Sequence, residues 1–211
     1  MAKIISIVNQ KGGVGKTTTT VNLGAALALE NKKILIVDFD QQANATITLG
    51  IKREDVKKDV VDFILEDNTV DVITKTEEEL LDLIPASLRI ASFEQMIQNK
   101  DEKELLLSKK LSALKNMYDY ILIDCPPALG VIIDNALYAS DSVIIPVECS
   151  FYAYDALTQM VNKIDEKKKE KPLEIEGILL TKLDNRNTIG YNIVEKVKFV
   201  ISGIIICRFI I

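Results

Sequence analysis

The stretch Gln10-Lys11-Gly12-Gly13-Val14-Gly15-Lys16-Thr17-Thr18 constrains this chain more than any other. An apolar run, Ile4-Ile5-Ser6-Ile7-Val8, precedes it. A helical pattern, Val21-Asn22-Leu23-Gly24-Ala25-Ala26-Leu27-Ala28-Leu29, follows. A strand, a glycine-rich turn and a helix start, in that order, form a cradle for phosphate. Gly12, Gly13 and Gly15 can take backbone angles closed to other residues, and their N–H groups can then point inward at an anion. The new helix brings the positive end of its dipole to the same place. At this spacing Lys16 reaches the β- and γ-phosphates of a nucleotide, and the Thr17 hydroxyl ligates Mg²⁺. Gly12, Gly13, Val14, Gly15, Lys16, Thr17 and Thr18 are therefore the expected nucleotide-binding set.

The loop departs from G-x-x-x-x-G-K-[ST] in an informative way. Its first position is Gln10 rather than glycine, and Lys11 is a lysine that the general pattern does not require. One lysine serves its own phosphates. A second, on the outer lip, can face away and neutralise phosphate in a facing subunit. This loop resembles the deviant Walker A loop of the ParA/MinD superfamily of dimerising ATPases. The resemblance implies that Lys11 crosses a dimer interface to the partner's nucleotide, and that Lys11 and Lys16 both serve catalysis.

Ile34-Leu35-Ile36-Val37 is a continuous apolar run, as a parallel strand covered on both faces requires. Strand, helix and strand then make a right-handed crossover. The fold class expected is α/β: a doubly wound, mostly parallel sheet of the P-loop NTPase kind, with helices on both faces. Ligands of such sheets sit beyond the carboxyl ends of the strands, so Asp38 and Asp40 fall on the same edge as the phosphate loop. Hydrolysis needs a group that orients water in line with the γ-phosphate. The chain has no histidine, which leaves a carboxylate as the natural candidate. Residues 37–46 look like the switch I region of ParA-type proteins. That likeness gives Asp40 the water-activating role and Asp38 a place in the magnesium shell. Gln42, Asn44 and Thr46 receive no individual role. Tyr118-Asp119-Tyr120-Ile121-Leu122-Ile123-Asp124 reads as a Walker B strand, with Asp124 opposite Thr17 at the metal. Pro126-Pro127 stops it. Cys125 reads as a small packed residue.

Between these landmarks the pattern predicts helices over 54–65, 87–98 and 102–116 and a strand over 80–85. Further on it predicts a helix over 131–139, a strand over 142–148, a helix over 152–168 and a strand over 175–184. Asn135 and Asp155 are placed at a dimer seam. Thr181-Lys182-Leu183-Asp184 resembles the guanine-reading Asn-Lys-x-Asp with its asparagine replaced, which points to adenine and hence ATP.

Hydrophobic content of 48%, charged content of 27% and a length of 211 residues suit one sizeable domain. The net charge of −5 does not attract nucleic acid by itself, so DNA contact needs a local basic patch. Absence of histidine excludes imidazole catalysis. Cys125, Cys149 and Cys207 form no Cys-x-x-Cys pair, which argues for a reducing cytosol and against zinc or an iron–sulfur cluster. No signal peptide is evident, and no apolar run approaches the ~18 residues of a membrane span. The family likeness implies an ATP-dependent homodimer that is slow in hydrolysis and stimulated by a ParB-type protein. It implies non-specific DNA binding, with Arg186, Lys196 and Lys198 as the candidate contacts, and a cytoplasmic, nucleoid-associated location. The Lys167-Lys168-Lys169 run is read as a solvated helix end. The likeness runs over 1–198 as a single ATPase domain and fails in the apolar tail, 199–211. No further strand is expected there, and a truncated or frameshifted frame is the expectation. The alternatives are a MinD-like membrane-cycling ATPase and an incomplete product that binds nucleotide without cycling.

Overall fold

The computed structural model describes residues 1–67, 70–149, 153–182 and 206–208. Its strands are β1 (Lys3–Ile7), β2 (Ile34–Asp38), β3 (Thr74–Lys75), β4 (Leu81–Ile84), β5 (Tyr120–Asp124), β6 (Ser142–Glu148), β7 (Glu174–Thr181) and β8 (Ile206–Arg208). Its α-helices are α1 (Lys16–Leu29), α2 (Asn44–Thr48), α3 (Val60–Leu65), α4 (Phe93–Ile97), α5 (Leu106–Ser112), α6 (Val131–Ala139) and α7 (Ala153–Lys168). The strands form one sheet in the order β3-β4-β2-β5-β1-β6-β7-β8. Every pairing is parallel except the short β3 edge, which runs antiparallel to β4. The expected fold class is thus observed.

The continuous apolar runs are explained by a sheet covered on both sides. Alternate residues of a strand face opposite ways. Ile5, Ile7, Ile34, Ile36, Leu81, Leu83 and Leu122 form one core with α1 and α2. Ile4, Leu35, Val37, Ile121, Ile123, Val143 and Ile145 form the other, under α3 to α7. Gly24 lets α1 lie close on the sheet: a Cβ there would stand 2.8 Å from Ile36 Cδ1. Pro146 is tolerated inside β6 because β1 pairs only with Ser142 to Ile144, so no ladder bond is lost at 146. The Pro146 carbonyl accepts a bond from Asn9 Nδ2 at 2.7 Å instead.

The middle of the chain departs from its pattern. The helix predicted over 54–65 is a 3₁₀ turn, Arg53–Asp55, followed by the shorter α3. Asp59 starts α3: its carboxylate accepts from the Val61 and Asp62 amides, and the Asp62 carboxylate bonds back to the Asp59 amide. The Val60 amide donates to the Pro85 carbonyl at 2.9 Å, a tertiary bond that a helix continuous from 54 would forbid. The helices predicted over 87–98 and 102–116 shorten in the same way, to α4 and α5 preceded by 3₁₀ turns. Helix α2 and strand β3 were not predicted. A strand does follow Lys198, contrary to expectation: Ile206–Arg208 pairs parallel to β7, with Ile206 beside Ile178. Asn135 does not face a seam. It is buried, accepts from the Leu107 amide at 3.0 Å and donates to the Lys103 and Val131 carbonyls, stitching α5 to α6. Asp155 is exposed on α7.

Candidate nucleotide site

The tips of β1, β2 and β5 lie at one height, because Ile7 and Asp38 both register with Asp124. The glycine loop leaves from β1. Gly13 (φ 71°) and Gly15 (φ 90°) occupy the left-handed region that glycine alone enters without penalty. Gly15 is the N-cap of α1 and supplies no side-chain cap, so the first-turn amides face the cavity. Thr181, at the end of β7, donates its hydroxyl to the Val14 carbonyl at 2.9 Å and pins the loop from the far side.

Lys16 is buried, and its ammonium donates to the Lys11 carbonyl at 3.1 Å. Burial lowers its pKa, against the pull of Asp124 and Asp40. Bound phosphate would supply the counter-charge that burial has taken away. Asp124 is fully buried near the Thr17 side chain, and Thr20 Oγ1 donates to its Oδ1 at 3.3 Å. Its Oδ2 is buried with no hydrogen-bond partner. Burial, with the charge of Asp38 adding to it, raises the Asp124 carboxyl to about 7. A bare carboxylate oxygen beside a threonine hydroxyl is a donor set that fits Mg²⁺, which takes one or two protein ligands and completes its shell with phosphate and water. Among the described residues no cluster of three or more His, Cys, Asp or Glu could hold a metal by itself.

Asp38 is buried beside Asp124, and burial raises its carboxyl to about 6. Its Oδ1 accepts the Asp40 amide at 3.2 Å; its Oδ2 accepts the Thr46 amide at 2.8 Å and the Thr46 hydroxyl at 2.7 Å. Both oxygens are thus engaged in shaping the loop that carries Asp40. Asp40 Oδ1 accepts the Gln42 amide at 2.9 Å. The glycine loop, Asp40, Gln42, Asn44, Thr181 and Lys182 line a cavity of about 940 Å³.

On the outer lip, Lys11 Nζ pairs with Glu148 at 2.7 Å, and Lys182 Nζ stands 3.7 Å from the other oxygen of Glu148. The hydrogen bond from Lys11 holds the Glu148 carboxyl below its ordinary range. Gln10 Nε2 donates to Gln159 Oε1 on α7 at 2.6 Å, a use for the side chain that replaces the expected glycine. Cys125 is buried, and burial pushes its thiol up, as expected of a packed residue.

Gly12 to Thr18 and Asp40 line one cavity, Asp38 and Asp124 are fully buried at the adjoining strand tips, and Lys11 sits on the outer lip against Glu148. Arg186, Lys196 and Lys198 lie outside the described residues. Lys167 pairs with Asp134 (3.6 Å) and Glu170 (3.9 Å) and stacks over Tyr138, and Lys168 pairs with Asp165. Sequence reasoning missed Thr20, Glu148 and Gln159, gave Thr46 no role and read Thr181 only for its likeness to a base-reading motif. Their partners Asp124, Lys11, Gln10, Ala86 and Val14 are distant in the chain, so no local signal marks these contacts.

A family model described as an AAA domain matches residues 2–176. The sporulation initiation inhibitor protein Soj of Bacillus subtilis is 49% identical over 201 residues, an alignment covering 94% of this chain and 79% of Soj. The chain belongs to the ParA/Soj family. Within that family, the chromosome partitioning protein ParA of Myxococcus xanthus is 42% identical, with 94% of this chain and 71% of ParA covered. Cobyrinic acid a,c-diamide synthase from Mycobacterium smegmatis, solved with a bound ATP analog and magnesium, shares the fold with a TM-score of 0.90 at 31% identity. That match spans 96% of this ParA/Soj-type chain and 81% of the synthase. No helix among the described residues is long and apolar enough to cross a membrane.

Proposed function

We propose that this ParA/Soj-type chain is an ATPase switch for DNA partition. It binds ATP with Mg²⁺, dimerises in the ATP state, binds DNA without sequence preference and releases it on hydrolysis stimulated by a ParB-type partner. The observation that carries this reading is that buried Lys16 and Asp40 line one cavity, while Asp124, with an unpartnered oxygen, acts on the Lys16 charge from the neighbouring strand tip. Identity of 49% to Soj, against 31% to the cobyrinic acid synthase, favours partition over amide synthesis.

The chemistry follows from the placement. The loop amides and Lys16 hold the β- and γ-phosphates. Thr17 and Asp124 hold Mg²⁺, which neutralises charge on the phosphate oxygens when bound. Asp40 orients a water and takes its proton; the water oxygen bonds to the γ-phosphorus, and the bond to the β–γ bridging oxygen breaks with its electrons staying on ADP. Lys16 stabilises the charge that develops on the transferring group. Lys11 exchanges Glu148 for phosphate of the facing subunit, so the closed dimer holds two complementary lysines. Non-specific DNA binding rests on lysine and arginine contacts to phosphate and falls with salt. The place of action is the cytoplasm, on the nucleoid.

Phosphate release, together with light scattering during size exclusion, tests the proposal. Expected are slow turnover, a dimer with ATP but not ADP, and retention on DNA only with ATP. Well-folded protein that ignores ATP in all three measurements overturns it.

A further inference from the structure

We infer that Thr46 is a positioning residue for hydrolysis, a clasp that ties Asp38 to the exit of β4 and thereby fixes the loop carrying Asp40. The inference rests on the ATPase reading above.

Thr46 is fully buried. Its hydroxyl donates to Asp38 Oδ2 at 2.7 Å and accepts from the Ala86 amide at 3.0 Å. Its own amide donates to the same Asp38 oxygen at 2.8 Å. One hydroxyl thus uses its donor and an acceptor site on two elements that are 40 and 8 residues away in the chain. From Asp38 the chain of bonds continues to the Asp40 amide at 3.2 Å, and the Ala43 amide returns to the Asp40 carbonyl at 2.8 Å. A buried network of this kind is rigid when every member is satisfied.

The loop needs such a clasp. Ala43, between Asp40 and Thr46, sits at φ 52° in the left-handed region. For a residue with a Cβ this geometry is strained. It persists only where the surroundings over-determine it. The three bonds of Thr46 are that over-determination. Without them Ala43 relaxes, α2 shifts and Asp40 moves relative to the phosphates. A valine would match the shape of Thr46 and make neither hydroxyl bond; a serine would make both.

The test compares Thr46→Val with Thr46→Ser. In single-turnover hydrolysis Thr46→Val is expected to slow about 10- to 100-fold, the range for a misplacement near 1 Å. ATP affinity should stay within about threefold, because the binding groups lie on the opposite loop. Thr46→Ser should recover most of the rate. Parental turnover in Thr46→Val, equal loss in Thr46→Ser, or affinity falling in step with rate would each overturn the assignment. A second measurement needs no variant. In the nucleotide-free parent, the Thr46 and Ala86 amides should exchange with deuterium as slowly as those of β2. Exchange at the pace of exposed loop amides would mean that the clasp does not persist, and the inference fails. A parent that does not hydrolyse ATP defeats the ATPase reading instead, and leaves the exchange result standing on its own.

Discussion

Residues 12–18 line one wall of a cavity and Asp40, Gln42 and Asn44 another, yet the two segments that carry them are held by different means. The first segment presents mainly backbone: left-handed glycines, the amides of an uncapped helix start, and Lys16 reaching back over its own loop. The second relies on side chains: the Asp38 carboxylate and the Thr46 hydroxyl tie the Asp40 amide to the Ala86 amide, just past β4. Backbone geometry is specified by neighbouring residues and changes little with ligand. A side-chain network has more than one way to be satisfied, and so can be thrown from one arrangement to another. Under the proposed ATPase reading, the contrast assigns binding to the first wall and the timing of hydrolysis to the second.

Asp40→Ala makes the sharpest break. Turnover should fall by about 10²–10⁴, the range for loss of a general base, while ATP affinity and dimerisation remain. Hydrolysis at the parental rate would remove the second wall from the mechanism. Lys16→Gln should do the opposite, weakening nucleotide binding about 100-fold or more, since a buried charge-assisted contact is lost; fluorescent-nucleotide titration measures it. If the two variants lost affinity and rate alike, the division between walls would be wrong.

Acid and base sharpen the comparison further. Burial raises Asp124 to about 7 and Asp38 to about 6. The folded protein therefore holds protons there that the unfolded chain, with carboxyls near 4, has given up. Stability of the nucleotide-free protein should fall as pH rises from about 4 to about 7, because the folded state must then ionise buried groups. Asp124→Asn should flatten that slope in denaturant titrations at a series of pH values, and a slope identical to the parent's would contradict the cause given. The smallest effect belongs to the outer lip. The Lys11–Glu148 pair is partly exposed, and such pairs contribute about 0–1 kcal/mol. Glu148→Gln should leave the melting temperature almost unchanged and tighten the ATP-dependent dimer about two- to fivefold, as that energy no longer holds Lys11 at home. A weaker dimer would show that Glu148 serves the closed state.

The two walls were not equally legible in the sequence. The glycine loop is contiguous, so Gly12 to Thr18 could be read residue by residue, and Asp124 followed from an apolar run with one acid at its end. Asp38 and Asp40 were legible as strand-tip acids. What Asp38 holds was not, because Thr46 meets Ala86 across two strands and no local pattern encodes that meeting. Thr181 bonds Val14 from 167 residues away, and Glu148 meets Lys11 from 137. The over-long helices failed for the same reason. The Val60 amide is claimed by Pro85, and a periodic pattern does not reveal a distant carbonyl.

Gly24 carries a mechanical consequence. With Ile36 Cδ1 only 2.8 Å from where a Cβ would stand, and Leu81 Cδ1 at 3.3 Å, the helix that begins at Lys16 is bedded closely on the sheet. The lysine and threonine at its start are the anvil of the machine. Under the proposed ATPase reading, movement that accompanies phosphate loss falls to the segment carrying Asp40 rather than to this helix.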